Sequence, residues 1–422
     1  MVPGLALIGF AAFVVAYTYA LYPLLLKIVA LRGRYHPATV EESGEWPSIS
    51  LTIPAYNEAG QIEELLESVL HLDYPRDRIQ ILVVSDASDD GTDQIVERYA
   101  DRGIELLRMP VRGGKSKAEN TARPLLRGEI IVNTDASIRI APDALKPLIS
   151  RFRDPGVGLA SGRDVSVTRV DGEMNIGESS YVGYEMWIRS LETDVWGIVG
   201  ASGCFYAIRK SLHAYEVPEG LSRDFAAALV TRENGYRPVT VNEAVCYVPR
   251  APSLKSEYRR KVRTMVRGMG TLNFKRHLLN PFREGVFAWM LFSHKVCRWA
   301  SPWAMVAGLI GLVLLALVQP LAWVLVAGVA AVLALALVGW RWPEGSRSPK
   351  IFSMPAFLVA GNVAVLHASL KALGGGGGQA VWEPTRRDVA VRPHVRHPSE
   401  AASHSDPDSV PIVTGSIPTE RQ

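Results

Sequence analysis

The sequence predicts an α/β domain built on a mostly parallel sheet, held between transmembrane helices at both ends of the chain. Three observations predict it. Of the 422 residues 48% are hydrophobic, too many for an ordinary soluble enzyme, and the surplus lies near the two ends. Between residues 47 and 281 the composition becomes globular, and short apolar runs alternate with helical periodicities. The runs are continuous rather than alternating, as in strands buried on both faces of a parallel sheet.

The first element, residues 2–30, reads VPGLALIGFAAFVVAYTYALYPLLLKIVA and carries a single charge, Lys27. About 20 apolar residues cross a bilayer. A cleaved signal peptide is the competing reading, but the run is too long and no basic stretch precedes it. Arg32 and Arg34 follow the helix, so the positive-inside tendency places the next segment in the cytosol.

That segment, 47–281, opens with SISLTIPAYNE, an apolar run ending in a polar turn. GQIEELLESVLHL comes next, with Ile62, Leu65, Leu66, Val69 and Leu70 at helical spacing. The pattern repeats as IQILVVSDASDDGT and TDQIVERYADRG, then as the short strand IELLRMP, the polar loop and helix GGKSKAENTARPLL, and the strand EIIVNTDAS. In such sheets ligands bind beyond the carboxyl ends of the strands, where all these polar loops lie. From about 150 onward the pattern is less regular, with GASGCFYAIRKS read as a strand and SRDFAAALVTRENGY as a helix.

Residues 282–299, FREGVFAWMLFSHKVCRW, mix aromatic and basic side chains as an interfacial helix does. Three apolar stretches follow within 301–373, at about 301–318, 320–340 and 351–373, all read as membrane helices. The last is interrupted by Asn362, His367 and Lys371. One helix before the domain and three after it would leave the C-terminus outside, although the tail carries Arg386, Arg387, Arg392 and Arg396; one segment could be re-entrant. The tail, 374–422, begins with a glycine run and ends Ser/Pro-rich, a composition with little to bury and expected to be flexible.

A net charge of +4 is too small to point to nucleic acid, and the three cysteines, Cys204, Cys246 and Cys297, are scattered without metal spacing. They suit reduced thiols in a cytosolic domain. No GxGxxG follows the first strand, which removes support for a dinucleotide site. The loops are acidic instead. Asp86 stands at the end of the second strand, where a carboxylate can accept from a nucleobase or ribose; Asp89 and Asp90 fit helix capping equally well.

IPAYNE (53–58), VVSDASDDGT (83–92), GGKSKAEN (113–120), TDAS (134–137), GASGCFYAIR (200–209), SRD (222–224) and RRKVR (259–263), in this order and spacing, resemble the inverting family 2 glycosyltransferases. With the membrane layout, the chain resembles their membrane-embedded polysaccharide synthase-like members, the relatives of cellulose, hyaluronan and poly-N-acetylglucosamine synthases. The resemblance covers about 45–275 and implies a GT-A fold, Rossmann-like, and a nucleotide-sugar donor. By matched position it implies that Ala55, Tyr56, Glu58 and Asp86 hold the nucleoside, that Lys115 and Asn120 border it, and that Asp135 sits at the ribose and diphosphate. Asp224 would be the catalytic base, Arg260 and Arg263 would face the diphosphate, and Gly203 and Cys204 would lie near the acceptor. The chemistry agrees, since a departing diphosphate needs positive charge and the attacking hydroxyl needs a base on the opposite face.

Each position also has a plainer reading. Asp224 could cap a helix, Lys115 and Lys117 could be a solvated pair, and the residues around Gly203 could be a tight bend. TDAS could be only a strand-ending turn, and Arg259 to Arg263 could be a basic face on anionic lipid.

Three positions depart from the family's pattern. Where it writes Asp-x-Asp, this chain has Asp135 and then Ser137, a neutral oxygen. Mg²⁺ or Mn²⁺ is therefore expected to be held weakly, by Asp135, Ser137 and the donor diphosphate. Where relatives have Gln-x-x-Arg-Trp, Thr264 replaces the aromatic that would stack on the acceptor sugar. Before the base stands Arg223, which could pair with Asp224 and lower its pKa.

The expected function is transfer of a sugar, with inversion, from a nucleotide-diphosphate sugar, expected to be UDP-linked, to a glycan or lipid-linked acceptor in cell-surface or extracellular polysaccharide synthesis. The expected setting is a multi-pass protein of the inner or plasma membrane with a cytosolic catalytic domain, the lipid bilayer and accessory or secretion subunits as partners, and no nucleic acid. Two alternatives stand beside it: single-sugar transfer to a polyprenyl-phosphate or other lipid-linked intermediate, and an impaired homologue that binds donor or acts as a scaffold.

Overall fold

The structure is a computed structural model that describes residues 2–31, 45–167, 176–249, 253–343, 346 and 348–374. Arg32, Arg34 and the tail from 375 lie outside the described residues. Helix α1 (Val2–Ala16) passes through a π-helical turn, Tyr17–Leu21, into α2 (Tyr22–Ala30). The domain then follows as β1 (Ile49–Ala55), α3 (Ile62–Leu70), β2 (Ile79–Ser85), α4 (Thr92–Glu97), β3 (Ile104–Arg108), α5 (Lys115–Ala122), β4 (Ile130–Thr134) and β5 (Arg139–Ile140). Its second half holds α6 (Leu145–Ser150), β6 (Val157–Val167), α7 (Ile176–Val195), β7 (Phe205–Arg209), α8 (Lys210–His213), α9 (Arg223–Glu233) and β8 (Arg237–Pro249). The chain continues through α10 (Leu254–Phe274), α11 (Pro281–Glu284), α12 (Val286–Leu291), α13 (Arg298–Ala316), α14 (Ala322–Trp340) and α15 (Lys350–Leu373).

The eight strands form one sheet in the order β3-β2-β1-β4-β7-β6-β8-β5. β1 pairs in parallel with both β2 and β4, so successive strands leave it in opposite directions and a crevice opens beyond its carboxyl end. β7 runs antiparallel to β4 and β6, which closes the parallel half. Every residue of β1 is buried, as the continuous apolar run predicts. Ile62, Leu65, Leu66, Val69 and Leu70 of α3 pack into the same core, each apolar side chain worth about 1.5–3 kcal/mol relative to exposure.

Among the described residues four helices are long and apolar enough to cross a membrane: Val2–Ala30, Val286–Ala316, Ala322–Trp340 and Lys350–Leu373. The expected interfacial helix at 282–299 is not a separate element. Instead α12, a π-helical turn (Phe292–Cys297) and α13 run on as one 31-residue helix. His294 in this helix is buried within the protein and meets Glu192, 2.6 Å away. The two π-helical turns face one another through a Tyr17 Oη to Ser293 Oγ hydrogen bond of 2.7 Å. Small residues allow α1 and α13 to touch, since a Cβ on Gly4 would lie 2.7 Å from the Gly311 carbonyl oxygen.

The polar residues of α15 are likewise accommodated. Asn362 donates to the Leu358 carbonyl at 2.8 Å, and His367 Nδ1 lies 3.0 Å from the Tyr258 hydroxyl of α10. Through such contacts α10 packs along α15, so an apolar C-terminal helix becomes a neighbour of the domain's basic helix.

Candidate active site

The loops after β1 and β2 hold one another in place. Asn57 and Ala87 adopt left-handed backbone conformations, φ 53° and 58°, uncommon outside glycine and typical of sites where surrounding structure fixes the chain. Asn57 exchanges hydrogen bonds with Asp89, donating from Nδ2 at 2.7 Å and accepting from the backbone N–H at 3.0 Å. Asp90 accepts from the N–H groups of Ala59 and Thr92, both at 3.0 Å, so these two carboxylates brace the loops. The Arg112 guanidinium lies 3.8 Å over the Tyr56 ring.

Asp86 does not present a bare carboxylate. It is 2% exposed and accepts the Gly113 and Gly114 N–H groups, each at 2.7 Å, one on each oxygen. Its geometric role in the structure is to pin the loop that starts α5.

Lys115, the first residue of α5, touches the Asp135 carboxylate and donates to the Gly203 carbonyl at 3.1 Å. Burial pushes the Lys115 ammonium toward neutrality, but Asp135 and Glu119 outweigh it and its pKa is raised. The plain solvated-pair reading thus fails for Lys115. Buried Glu119 lies 3.9 Å from Lys115 and 2.8 Å from Arg223 Nε. Its oxygens make no well-aligned hydrogen bond, so the Glu119–Arg223 contact is chiefly Coulombic. Burial raises the Glu119 pKa, with Arg223 and Lys115 opposing.

Arg223 therefore does not pair with Asp224 as the sequence suggested. Its guanidinium turns to Glu119, to the Asn120 side-chain oxygen and to His213, 3.3 Å away. Asn120 is thereby committed to Arg223 and Arg123. Asp224, in the first turn of α9, accepts from the Ser222 hydroxyl at 2.7 Å rather than capping a backbone N–H. Gly203 lies against it, since a Cβ there would come 3.2 Å from Asp224 Oδ2.

A cavity of about 380 Å³ gathers Glu58, Lys115, Asp135, Ser137, Gly203, Cys204, Asp224, Arg260 and Arg263, nine of the thirteen residues singled out in the sequence. Ala55, Tyr56, Asp86 and Asn120 stand outside its lining. Arg260 makes a two-pronged pair with buried Glu257, at 2.7 and 2.8 Å, so its charge is matched within α10.

Other lining residues were not singled out in the sequence reading. Asp164 of β6 accepts from Ser202 Oγ at 2.6 Å, and burial raises its pKa against the pull of Arg189. Glu185 and Arg189 come from α7, Arg267 from α10, and Phe357 from α15. Arg267 had a legible signal, because 260, 263 and 267 share one helical stripe. Asp164 and Glu185 had none.

For a divalent cation, the chain offers Asp135 and one hydroxyl at Ser137, and the Lys115 ammonium, already on the carboxylate, competes with the ion for it. No group of three acidic, His or Cys side chains able to hold a metal occurs among the described residues. This set fits an ion that takes most of its ligands from a bound diphosphate, and not a dedicated cage.

Residues 50–215 match the family described as Glycosyl transferase family 2. The chain is 27% identical over 190 residues to a β-monoglucosyldiacylglycerol synthase of Nostoc sp., covering 44% of this chain and 40% of that protein. It is 28% identical over 224 residues to an N-acetylglucosaminyltransferase of Mesorhizobium japonicum, covering 48% and 52%. The chain thus spans about half the length, or less, of these curated relatives. Among solved structures, the mannosyltransferase PcManGT of Pyrobaculum calidifontis, in complex with GDP-Man and Mn²⁺, superposes with a TM-score of 0.65 at 25% identity. That match covers 87% of this chain and 99% of that one, and the mostly parallel domain is a GT-A fold.

Proposed function

We propose, from the match of residues 50–215 to the family described as Glycosyl transferase family 2, that this chain moves a sugar from a nucleotide-diphosphate donor to a lipid-borne acceptor, with inversion. The donor is UDP- or GDP-linked, and the transfer takes place at the cytosolic face of a cell membrane. One observation carries the acceptor assignment. Phe357, from a helix long and apolar enough to cross a membrane, lines the same cavity as Asp135 and Asp224. A lipid headgroup could enter along that helix without leaving the interface.

In this reading the anomeric carbon is attacked once. The acceptor oxygen forms the new bond, the bond to the diphosphate oxygen breaks, Asp224 takes the proton, and the electron pair leaves with the diphosphate. Lys115 and Arg263 face the leaving group, Lys115 from the strand-end side and Arg263 from α10. Arg260, already matched by Glu257, contributes less charge than its position suggested. Asp135 and Ser137 would hold Mg²⁺ or Mn²⁺, which supplies positive charge to the diphosphate when bound.

Repeated transfer to a growing glycan is the second reading, favoured by the N-acetylglucosaminyltransferase relatives. Exposed Thr264, where the resemblance expects an acceptor-stacking Trp, favours single transfer. The test is nucleoside diphosphate release from UDP- and GDP-sugars by the chain in lipid nanodiscs, with the labelled sugar followed into organic and aqueous phases. Single-sugar lipid products are expected, and water-soluble polymer would overturn the preferred reading. Asp224→Asn should keep donor binding and lose about 10²–10⁴-fold in transfer; donor binding without turnover by the unmodified chain would favour the scaffold alternative.

A further inference from the structure

We infer that Arg267 is the anion-binding residue of the acceptor subsite, so that the favoured acceptor carries a phosphate close to the hydroxyl that is glycosylated. This rests on the glycosyl-transfer reading above and names the acceptor class that the same cavity takes.

The side of the cavity is fixed first. In a single displacement the nucleophile and the leaving group occupy opposite faces of the sugar, so the base marks the acceptor face. Arg267 is tied to that face through one hydroxyl. Thr271 Oγ1 donates to the Arg267 carbonyl at 2.8 Å and accepts from the Ser222 N–H at 2.9 Å. Ser222 in turn donates to Asp224. Gly270 packs against Leu221, a Cβ there falling 3.2 Å from Leu221 Cδ2, so the end of α10 is seated on the start of α9. The Asp224 charge acts on the Arg267 guanidinium, while burial pulls its pKa down.

The need for an anion follows from the pairing. Arg260 is matched by Glu257, and Arg223 by Glu119. Arg267 lines the cavity half-buried, and its guanidinium has no hydrogen-bond or ion-pair partner among the described residues. A planar, permanently charged fork in a partly desolvated wall suits a phosphate held by two parallel hydrogen bonds. Phe357 and Met265 continue the lining with apolar surface, as a lipid rather than a free sugar phosphate would use.

The experiment measures nucleoside diphosphate release by the full chain in phosphatidylcholine nanodiscs doped with either phosphatidylglycerol or diacylglycerol. The first offers a hydroxyl beside a phosphate, the second a hydroxyl alone. Phosphatidylglycerol should stimulate release more strongly. Arg267→Gln should raise its half-saturating concentration about 10- to 100-fold, move donor half-saturation less than about twofold, and be partly rescued by Arg267→Lys. Equal stimulation by both lipids, no stimulation by phosphatidylglycerol, an unchanged half-saturation in Arg267→Gln, or a raised donor KM in both variants would each overturn the assignment. Failure of the glycosyl-transfer reading looks different: no nucleotide sugar releases its diphosphate at all.

Discussion

Removing the guanidinium of Arg223 strands a buried carboxylate. Glu119 and Arg223 have side-chain exposures of 2% and 9% and lie 2.8 Å apart, while Lys115 is 3.9 Å from Glu119. At an effective dielectric near 20, charges at these separations attract by about 6 and about 4 kcal/mol. Arg223→Ala therefore loses the larger attraction and keeps the smaller. Breaking a buried pair by removing one partner costs about 3–5 kcal/mol, and the remaining Lys115 places this case near 3. At about 2–4 °C per kcal/mol for a domain of 150–250 residues, the thermal midpoint should fall by roughly 6–12 °C. Replacing both residues, as Glu119→Met with Arg223→Met, removes both charges from the interior and should return to within about 1 kcal/mol of the parent.

The penalty also has a pH signature. Without Arg223 the already raised Glu119 pKa rises further, so acid protonates the stranded carboxylate in the folded state. The loss in Arg223→Ala should shrink as pH falls and be largest above that pKa. Thermal unfolding of the three variants in nanodiscs, followed by near-UV circular dichroism, reads all of this. A midpoint for Arg223→Ala within about 2 °C of the parent, or a double variant destabilised by the sum of its singles, would refute the pairing argument.

His213 is buried, and burial, Arg223 and Arg123 together hold its pKa well below the ordinary value. The folded imidazole stays neutral while the unfolded one takes a proton, so stability is full above about pH 6.5 and is lost below it, by at most about 1.4 kcal/mol per pH unit. Unfolding curves of His213→Gln should be flatter between pH 7 and 5, and identical slopes would sink the idea. Ser137→Asp adds a carboxylate beside Asp135 and should lower the half-saturating Mn²⁺ about tenfold in a calorimetric titration with donor present; an unshifted titration would mean the loop faces elsewhere. Gly203→Ala places a Cβ 3.2 Å from Asp224 Oδ2 and should displace that carboxylate by a few tenths of an ångström. Transfer should fall about three- to tenfold with donor affinity kept, and unchanged turnover would show that Asp224 can move freely there.

Much of the cavity's strand-end side was legible in the sequence because its signals are local. A continuous apolar run fixes a buried strand, and the polar residues that follow it land on the crevice edge by connectivity alone. Thus Lys115, Asp135 and Ser137 reach one cavity as expected. The partners of Asp86 were not legible, because they are backbone N–H groups of a loop 27 and 28 residues away.

The sequence alone determined the class of fold, the apolar ends and the motif-bearing loops, since periodicity and strand–loop–helix order need no knowledge of distant contacts. Tertiary structure decided which charges meet and which elements line the cavity. Arg223 stands beside Asp224 in the chain, yet its partners are Glu119 and Asn120, brought to it by the packing of α9 near α5. Arg260 was spoken for by a residue three positions earlier, visible only once the rotamers were known. Phe357 enters the cavity because α15 packs on α10. Such assignments depend on which side chains meet across the fold, and Coulomb attraction within a few ångströms depends on that distance rather than on separation along the chain.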